Sequence, residues 1–568
     1  MSKVSQKVDG RRPLPEPIEA PEPWHKRRST WTIAAVAMMV LLFAYMITPE
    51  KAREVVHVAG VTGPSPSEDL FQNATTILHR LEQINSPDVM QQVVGGYNQW
   101  LEDQGSAEGW KPDPLWGSIP KKYANPRLAE FLAAPLLFNR DASYLEESIL
   151  MRDIARAARG DQIDDLARAV RLFDWTVRNL QLDPLPKNRT DWRTVGLKRL
   201  LDQGHCNALQ RAWIFLLLAR QQQLDVVILA TGDPDKLDEL RTWAPALLSG
   251  GELYVFDPLL GMAIPGPAGD GVATLSQLAA DEALLRRLDL EAGLRYPIEA
   301  GDLTRVTAFV EARPLALSRR MQLIENELAG EQKVVLSYSP SRVEELLKAC
   351  PQVAATRIWP FPYEEAEVES RFERSTDQEI SEAMTAWMMP SYAQPMLAVG
   401  RKYQFKGNFT GEHGEPGEAS ANGYYQGCLL AEQALEQRAQ KHAEEAITGV
   451  PPNERKAMFT TVFDSFRDGL RRAMHSATYW LGVIAYERGK YETAIDYFKV
   501  RTLEKAPESF FVPGARFNLA RCYEATGQIE EAIAVYESDD SEMRYGNLLR
   551  ARWLREKIPL ADAAATAE

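Results

Sequence analysis

The chain has 568 residues, of which 45% are hydrophobic and 25% charged, and a formal net charge of −14. That length exceeds what one core organises at about 100 to 200 residues per domain, and the composition is that of folded globular protein rather than a disordered or fibrous chain. The acidic balance, with no basic patch of the kind phosphate contacts require, excludes nucleic acid as a partner.

Residues 1–28 are rich in proline and charge, as in Arg12-Pro13-Leu14-Pro15-Glu16-Pro17. They are too polar for a core and read as a disordered cytoplasmic tail. Lys26-Arg27-Arg28 directly precedes the longest apolar run, Trp31 to Ile47, which is free of charge from Ser29 to Pro49. At about 1.5 Å per residue, residues 29–49 are long enough to cross a hydrocarbon layer of about 30 Å. Lys3, Lys7, Arg11, Arg12, Lys26, Arg27 and Arg28 all come before this run. The positive-inside rule then keeps the N-terminus in the cytoplasm and places the bulk of the chain outside it, in a periplasmic setting. A cleaved secretory signal is the competing reading, but the run exceeds the usual ~7 to 15 residues and no small-x-small cleavage site follows it.

Residues 50–67 form a linker, with Gly60, Gly63, Pro64 and Pro66. Glu68 to Glu102 carries apolar residues at helical spacing, Gly109 to Pro126 is a Trp- and Pro-rich arm, and Ile163, Leu166, Val170, Leu172, Phe173 and Val177 continue a helical pattern toward Leu182. Asp161, Asp164 and Asp165 lack metal-ligand spacing and read as a solvated helix face. The four cysteines, Cys206, Cys350, Cys428 and Cys522, are too dispersed for a metal motif or a disulfide framework. No glycine-rich phosphate loop is present, so no cofactor is expected.

Between Gly196 and Gly266, Gly204-His205-Cys206-Asn207-Ala208 opens an apolar helix that includes Ala212 to Ala219. Strand patterns follow at Asp225 to Ala230 and at Leu253-Tyr254-Val255-Phe256-Asp257-Pro258, with Arg241-Thr242-Trp243 between them. This order resembles the core of transglutaminase-like, papain-type thiol enzymes. The resemblance implies Cys206 as nucleophile at a helix start, Asp257 as the carboxylate that orients the base, and a His-x-Trp strand where Arg241 stands instead of the histidine. A guanidinium stays protonated and accepts no proton, so it cannot serve as that base, although it could pair with Asp257. The histidines are His25, His57, His79, His205, His413, His442 and His475, and none lies between Cys206 and His413. The reading is a domain over 68–300 that retains the fold without its base. The alternative is a cysteine protease or acyl transferase that uses Cys206 with a base from elsewhere.

Residues 301–370 read as a small α/β segment. It has strands at Thr304 to Val310 and Lys333 to Tyr338, and helices at Ser318 to Leu328 and Ser341 to Cys350. Over 380–568 strand signals vanish. Leu481-Gly482, Gly489, Tyr491, Ala494-Ile495 and Phe498, then Leu519-Ala520, Tyr523, Gly527, Ala532-Ile533 and Tyr536, resemble two tetratricopeptide repeats offset by 38 residues. Small Gly482, Ala494, Ala520 and Ala532 let paired helices approach, and Phe498 and Tyr536 fill the space between them. Residues 423–446 and 544–555 are expected to act as degenerate repeats or caps.

The expected fold class is α+β: a single N-terminal transmembrane helix, a transglutaminase-like α/β domain and a C-terminal all-α repeat array. The expected function is a membrane-anchored, non-catalytic scaffold. Its protein or peptide partner would sit on the repeat groove, with no nucleic acid and no metal.

Overall fold

Asp225–Thr231 is apolar on both faces, and the sequence that precedes it, Ala208–Gln221, is apolar almost all round. A strand and helix of this kind are stable only when both are covered, and the rest of the fold supplies the cover. The computed structural model describes residues 66–80, 88–105, 109–119, 122–123, 127–183, 196–290, 293–374, 390–411 and 419–556. The tail at 1–28 and the apolar segment at 29–49 lie outside them. Among the described residues no helix is long and apolar enough to cross a membrane.

In chain order the first layer is helical: α1 (Pro66–His79), α2 (Val89–Glu102), α3 (Leu128–Ala133), α4 (Asp141–Arg159) and α5 (Asp165–Asn179). Ile163 lies before α5 and is 91% exposed, outside the expected helical face. Asp164 caps α5 by accepting from Ala167 N at 2.9 Å, and Asp165 pairs with Arg168. A two-residue strand β1 (Gln181–Leu182) precedes α6 (Leu197–Gln203), β2 (His205–Cys206) and α7 (Ala208–Gln221). Then come β3 (Asp225–Thr231), β4 (Arg241–Ser249), β5 (Glu252–Asp257), β6 (Met262–Ala263), α8 (Leu275–Ala280), α9 (Glu282–Arg286), β7 (Val306–Val310), α10 (Arg319–Glu327), α11 (Pro340–Leu347), β8 (Val353–Ile358) and α12 (Phe361–Arg374).

Strands β3 to β8 form one sheet in the order β6-β5-β4-β3-β7-β8. All pairs are antiparallel except β7 with β8. The strands of the 301–370 segment therefore extend the sheet that carries the Asp-Pro strand. Val226, Ile228 and Ala230 of β3 face the core shared with α7, while Val227 and Leu229 face the second core with α11. Lys333 to Tyr338 is not a strand. Its backbone groups are engaged by other parts of the chain: Val335 N by Gln221 Oε1, Leu336 N and Ser337 N by Glu325 Oε2, and Tyr338 N by Ala316 O. With those groups already satisfied, no neighbouring strand is required.

The C-terminal half is helical throughout its described residues: α13 (Met396–Phe405), α14 (Ala421–Cys428), α15 (Glu432–Ala446), the long α16 (Pro452–Glu487), α17 (Tyr491–Ile495), α18 (Val512–Ala525), α19 (Ile529–Glu537) and α20 (Arg544–Glu556). Helix α17 continues as a π-helical stretch over Asp496–Glu504. Residues of α16, α18 and α20 enter the same two cores as the sheet, so 63–568 is one unit.

At this junction a buried charge cluster crosses from α5 to α16 and α18. Arg178 bonds Asp174 and Glu487 at 3.1 Å each, and Arg521 bonds Asp174 at 3.0 Å. Two cations and two carboxylates balance there, and removing one leaves an uncompensated charge in a dry site. Asp174→Ala is therefore expected to destabilise the protein by about 3 to 5 kcal/mol, with Asp174→Asn intermediate, read from urea unfolding midpoints.

Candidate functional site

Helix α6 ends on Gly204 in the left-handed region, φ 72°. A Cβ there would come within 2.5 Å of the Trp480 ring, so both backbone and space require glycine. The turn delivers His205-Cys206 as an extended pair beside β1, with Gln181 N donating to Gly204 O at 2.9 Å and Asp183 N to Cys206 O at 3.0 Å. Asn207 then caps α7 through Gln210 N at 2.9 Å, and Gln210 Oε1 accepts from Asn207 N at 3.0 Å. The helix end is thus capped by its own side chains, one residue beyond the cysteine.

Cys206 is fully buried, and its thiol lies 3.8 Å from Gln181 O, the acceptor it faces. Burial pushes the thiol up to about 12, against the opposing field of the Arg211 guanidinium. Buried Arg211, one turn into α7, donates from Nη1 to Pro258 O at 2.9 Å and from Nη2 to Leu180 O, and touches Met543 Sδ at 3.8 Å. It also lies in electrostatic reach of Asp257.

Asp257 ends β5. Its Oδ1 accepts from Leu259 N and Leu260 N, both at 2.8 Å, and its Oδ2 accepts from the Tyr296 hydroxyl at 2.5 Å. Tyr296 in turn accepts from Trp243 Nε1 at 2.7 Å. Burial raises the Asp257 carboxyl above its ordinary value. Of the Arg241-Thr242-Trp243 segment it is therefore the tryptophan that connects to Asp257. Arg241 is exposed at the start of β4, with Thr231 opposite it, and forms no ion pair among the described residues.

His205, next to Cys206, turns to the other side of the extended pair. Its Nδ1 lies 2.8 Å from Asp183 Oδ1 and 3.0 Å from Gln181 Nε2, and its ring packs on Phe511. His79 Nδ1 accepts from Arg152 at 2.7 Å and is pulled down to about 4, mainly by burial. His442 stacks on Phe466, and His475 faces Glu508. None of these imidazoles is a partner of Cys206. What the structure gathers around the cysteine is a thiol, a permanent cation and backbone carbonyls. Sequence reasoning named Cys206 and Asp257 but missed Arg211, Tyr296 and Gln181. The available signal was the lone arginine in the apolar run Ala212 to Ala219 and its preceding turn.

The helical pairs form the second candidate site. A Cβ on Gly482 would meet Phe498 at 2.6 Å, so the first and second helices of that pair touch only because residue 482 is glycine. The first helices of the pairs, α16 and α18, with the capping α20, face the α/β body. Tyr479 Oη and Asn518 Nδ2 both donate to Arg178 O at 3.2 Å, and Gly514 N donates to Gln181 Oε1 at 2.9 Å. Tyr545 donates to Leu288 O at 3.0 Å, and Gly546 lies so close to Leu260 O that any Cβ there would overlap it. The expected open groove is therefore filled, on this face, by the chain's own body. Tyr479, the Asn518 amide nitrogen and Gly514 N are already engaged there by the body.

Two tetratricopeptide-repeat family models match the chain, over residues 456–510 and 485–542. Comparison with curated proteins and with solved structures returns no match. The C-terminal segment thus carries tetratricopeptide repeats, which suggest a role in protein interaction.

A thiol that ionises near 9 when unfolded but at about 12 when folded contributes stability that is fully present below pH 9 and lost as pH rises toward 12, because the unfolded chain releases its proton first. Cys206→Ala is expected to flatten the fall in urea midpoint across that window. Iodoacetamide should modify Cys206 roughly 100-fold more slowly in the native protein than in urea, followed by peptide mass spectrometry.

Proposed function

We propose that the protein is a membrane-anchored, non-catalytic interaction scaffold in which a degenerate transglutaminase-like core and the tetratricopeptide repeats act as one extracytoplasmic body. Residues 29–49 would hold it in the membrane with the N-terminus cytoplasmic. The order of α7, β3, β4 and β5, with Cys206 before the helix and Asp257 at the end of the third strand, supports the transglutaminase-like reading. The observation that carries the non-catalytic part is that Cys206 is fully buried against Gln181 O, with Arg211 beside it and none of the described histidines as its partner.

The enzyme alternative needs Cys206 as a thiolate within hydrogen-bond reach of an imidazole. The described histidines are each engaged elsewhere, which favours the scaffold. With the first-helix face occupied, a partner would meet the outer side of the second helices, where Glu492, Lys499, Glu530 and Glu531 are exposed.

Three measurements test this reading. Full-length protein is expected to stay in the membrane pellet at alkaline pH and to be released when residues 29–49 are deleted. Cross-linking in native membranes should capture the same protein partners from wild type and Cys206→Ala. The combined charge reversals Glu492→Lys, Glu530→Lys and Glu531→Lys should deplete them while the protein still unfolds in one cooperative transition, at a cost of about 1 to 3 kcal/mol from losing the acidic first turns of α17 and α19. Loss of a covalent adduct or a cleaved product in Cys206→Ala would instead support the enzyme.

A further inference from the structure

A cleft of about 710 Å³ lies away from Cys206, between the Trp110 arm, the C-terminal end of α7 and the 316–342 segment. That volume is in the range of small-ligand sites, roughly 300 to 1,000 Å³. We propose that this cleft binds a short, neutral oligosaccharide.

Charge is the first argument. Lys111, Arg220 and Arg342 line the cleft against Asp113, Asp225 and Glu325, so its lining is electrically balanced. The carboxylates are already committed to protein donors. Asp225 accepts from Arg342 and from Tyr338 Oη at 3.0 Å, Glu325 accepts from Ser337 N and Oγ, and Asp113 accepts from Ser339 and Ser341 hydroxyls. Arg220 is held by Glu311. Each lining carboxylate is thus opposed by a protein donor, which disfavours a cation, and the three cations are matched in number by the three carboxylates.

The polar wall suits a polyol. Ser337, Ser339 and Ser341, all at least partly exposed, each direct a hydroxyl proton to a protein acceptor. Their remaining lone pairs face ligands that bring O–H donors. Gln322 accepts the Trp110 indole N–H through Oε1 at 3.3 Å, which fixes the half-buried ring and leaves its own amide N–H₂ to donate. An aromatic face beside convergent amides and hydroxyls matches the C–H face and hydroxyl rim of a pyranose.

The backbone adds an independent observation. Gln223 lines the same cleft at φ 59°, the one non-glycine among the described residues in the left-handed region. At this helix-terminal position glycine is the unstrained choice. A glutamine there places an exposed amide at the cleft mouth despite the backbone cost, as is common at binding sites. This inference does not rest on the scaffold reading.

The test is isothermal titration of full-length protein in lipid nanodiscs, which avoids glycoside detergents, with cellotetraose, maltotetraose and chitotetraose. At least one is expected to bind saturably, with Trp110→Ala weakening it roughly tenfold. Gln223→Gly relaxes the backbone, so it should keep or raise the unfolding midpoint while weakening the sugar several-fold. Failure of all three sugars to bind, undiminished binding in both variants, or tighter binding of tetragalacturonate or of a tetrapeptide to the same cleft would overturn the proposal.

Discussion

The Arg211 side chain is the contact on which the rest of the interior depends. From α7 it reaches the carbonyl of Leu180 beside β1, the carbonyl of Pro258 after β5 and the sulfur of Met543 before α20. One guanidinium therefore joins the helix layer, the sheet and the repeat array. Two buried carbonyls that would otherwise lack donors are satisfied by a planar fork of fixed geometry. The same cation stands between Cys206 and Asp257, where chemistry of the thiol-enzyme kind needs a group that can take and return a proton. A guanidinium stays protonated and accepts no proton, so Arg211 cannot be that group.

The repeat array follows from that constraint. Helical pairs need small residues to approach, and Gly482 against Phe498 meets the need within the array. Gly204 against Trp480, Gly514 against Gln181, and Gly546 against Leu260 O meet it between the array and the body. The second set has no part in forming repeats. It makes the first-helix face a permanent intramolecular joint, locked by the Asp174, Arg178, Glu487 and Arg521 cluster. The array acts as a clamp on the sheet, with its second helices turned to the outer side.

Polar commitments inside the body explain where strand patterns fail. Lys333 to Tyr338 has the apolar alternation of a strand, but Gln221 and Glu325 reach its backbone from α7 and α10 and replace the ladder a neighbour would provide. The resulting extended, side-chain-clamped segment forms one wall of the Trp110 cleft. Asp257 shows the same logic: two backbone amides and Tyr296 fill its lone pairs, so Trp243 rather than Arg241 becomes its distant partner through the tyrosine.

Periodicity and residue size were enough to read α7, β3, β5 and the two repeat pairs, because burial of apolar faces and close helix approach act over neighbouring residues. The absence of a histidine between Cys206 and His413 was equally legible, being a matter of composition. The sequence could not tell that Arg211 would occupy the space beside Cys206, that β7 and β8 would extend the Asp257 sheet, or that the repeats would close on their own body. Each depends on contacts between residues tens to hundreds of positions apart, set by which buried donor meets which buried acceptor, and such pairing exists only once the chain has folded.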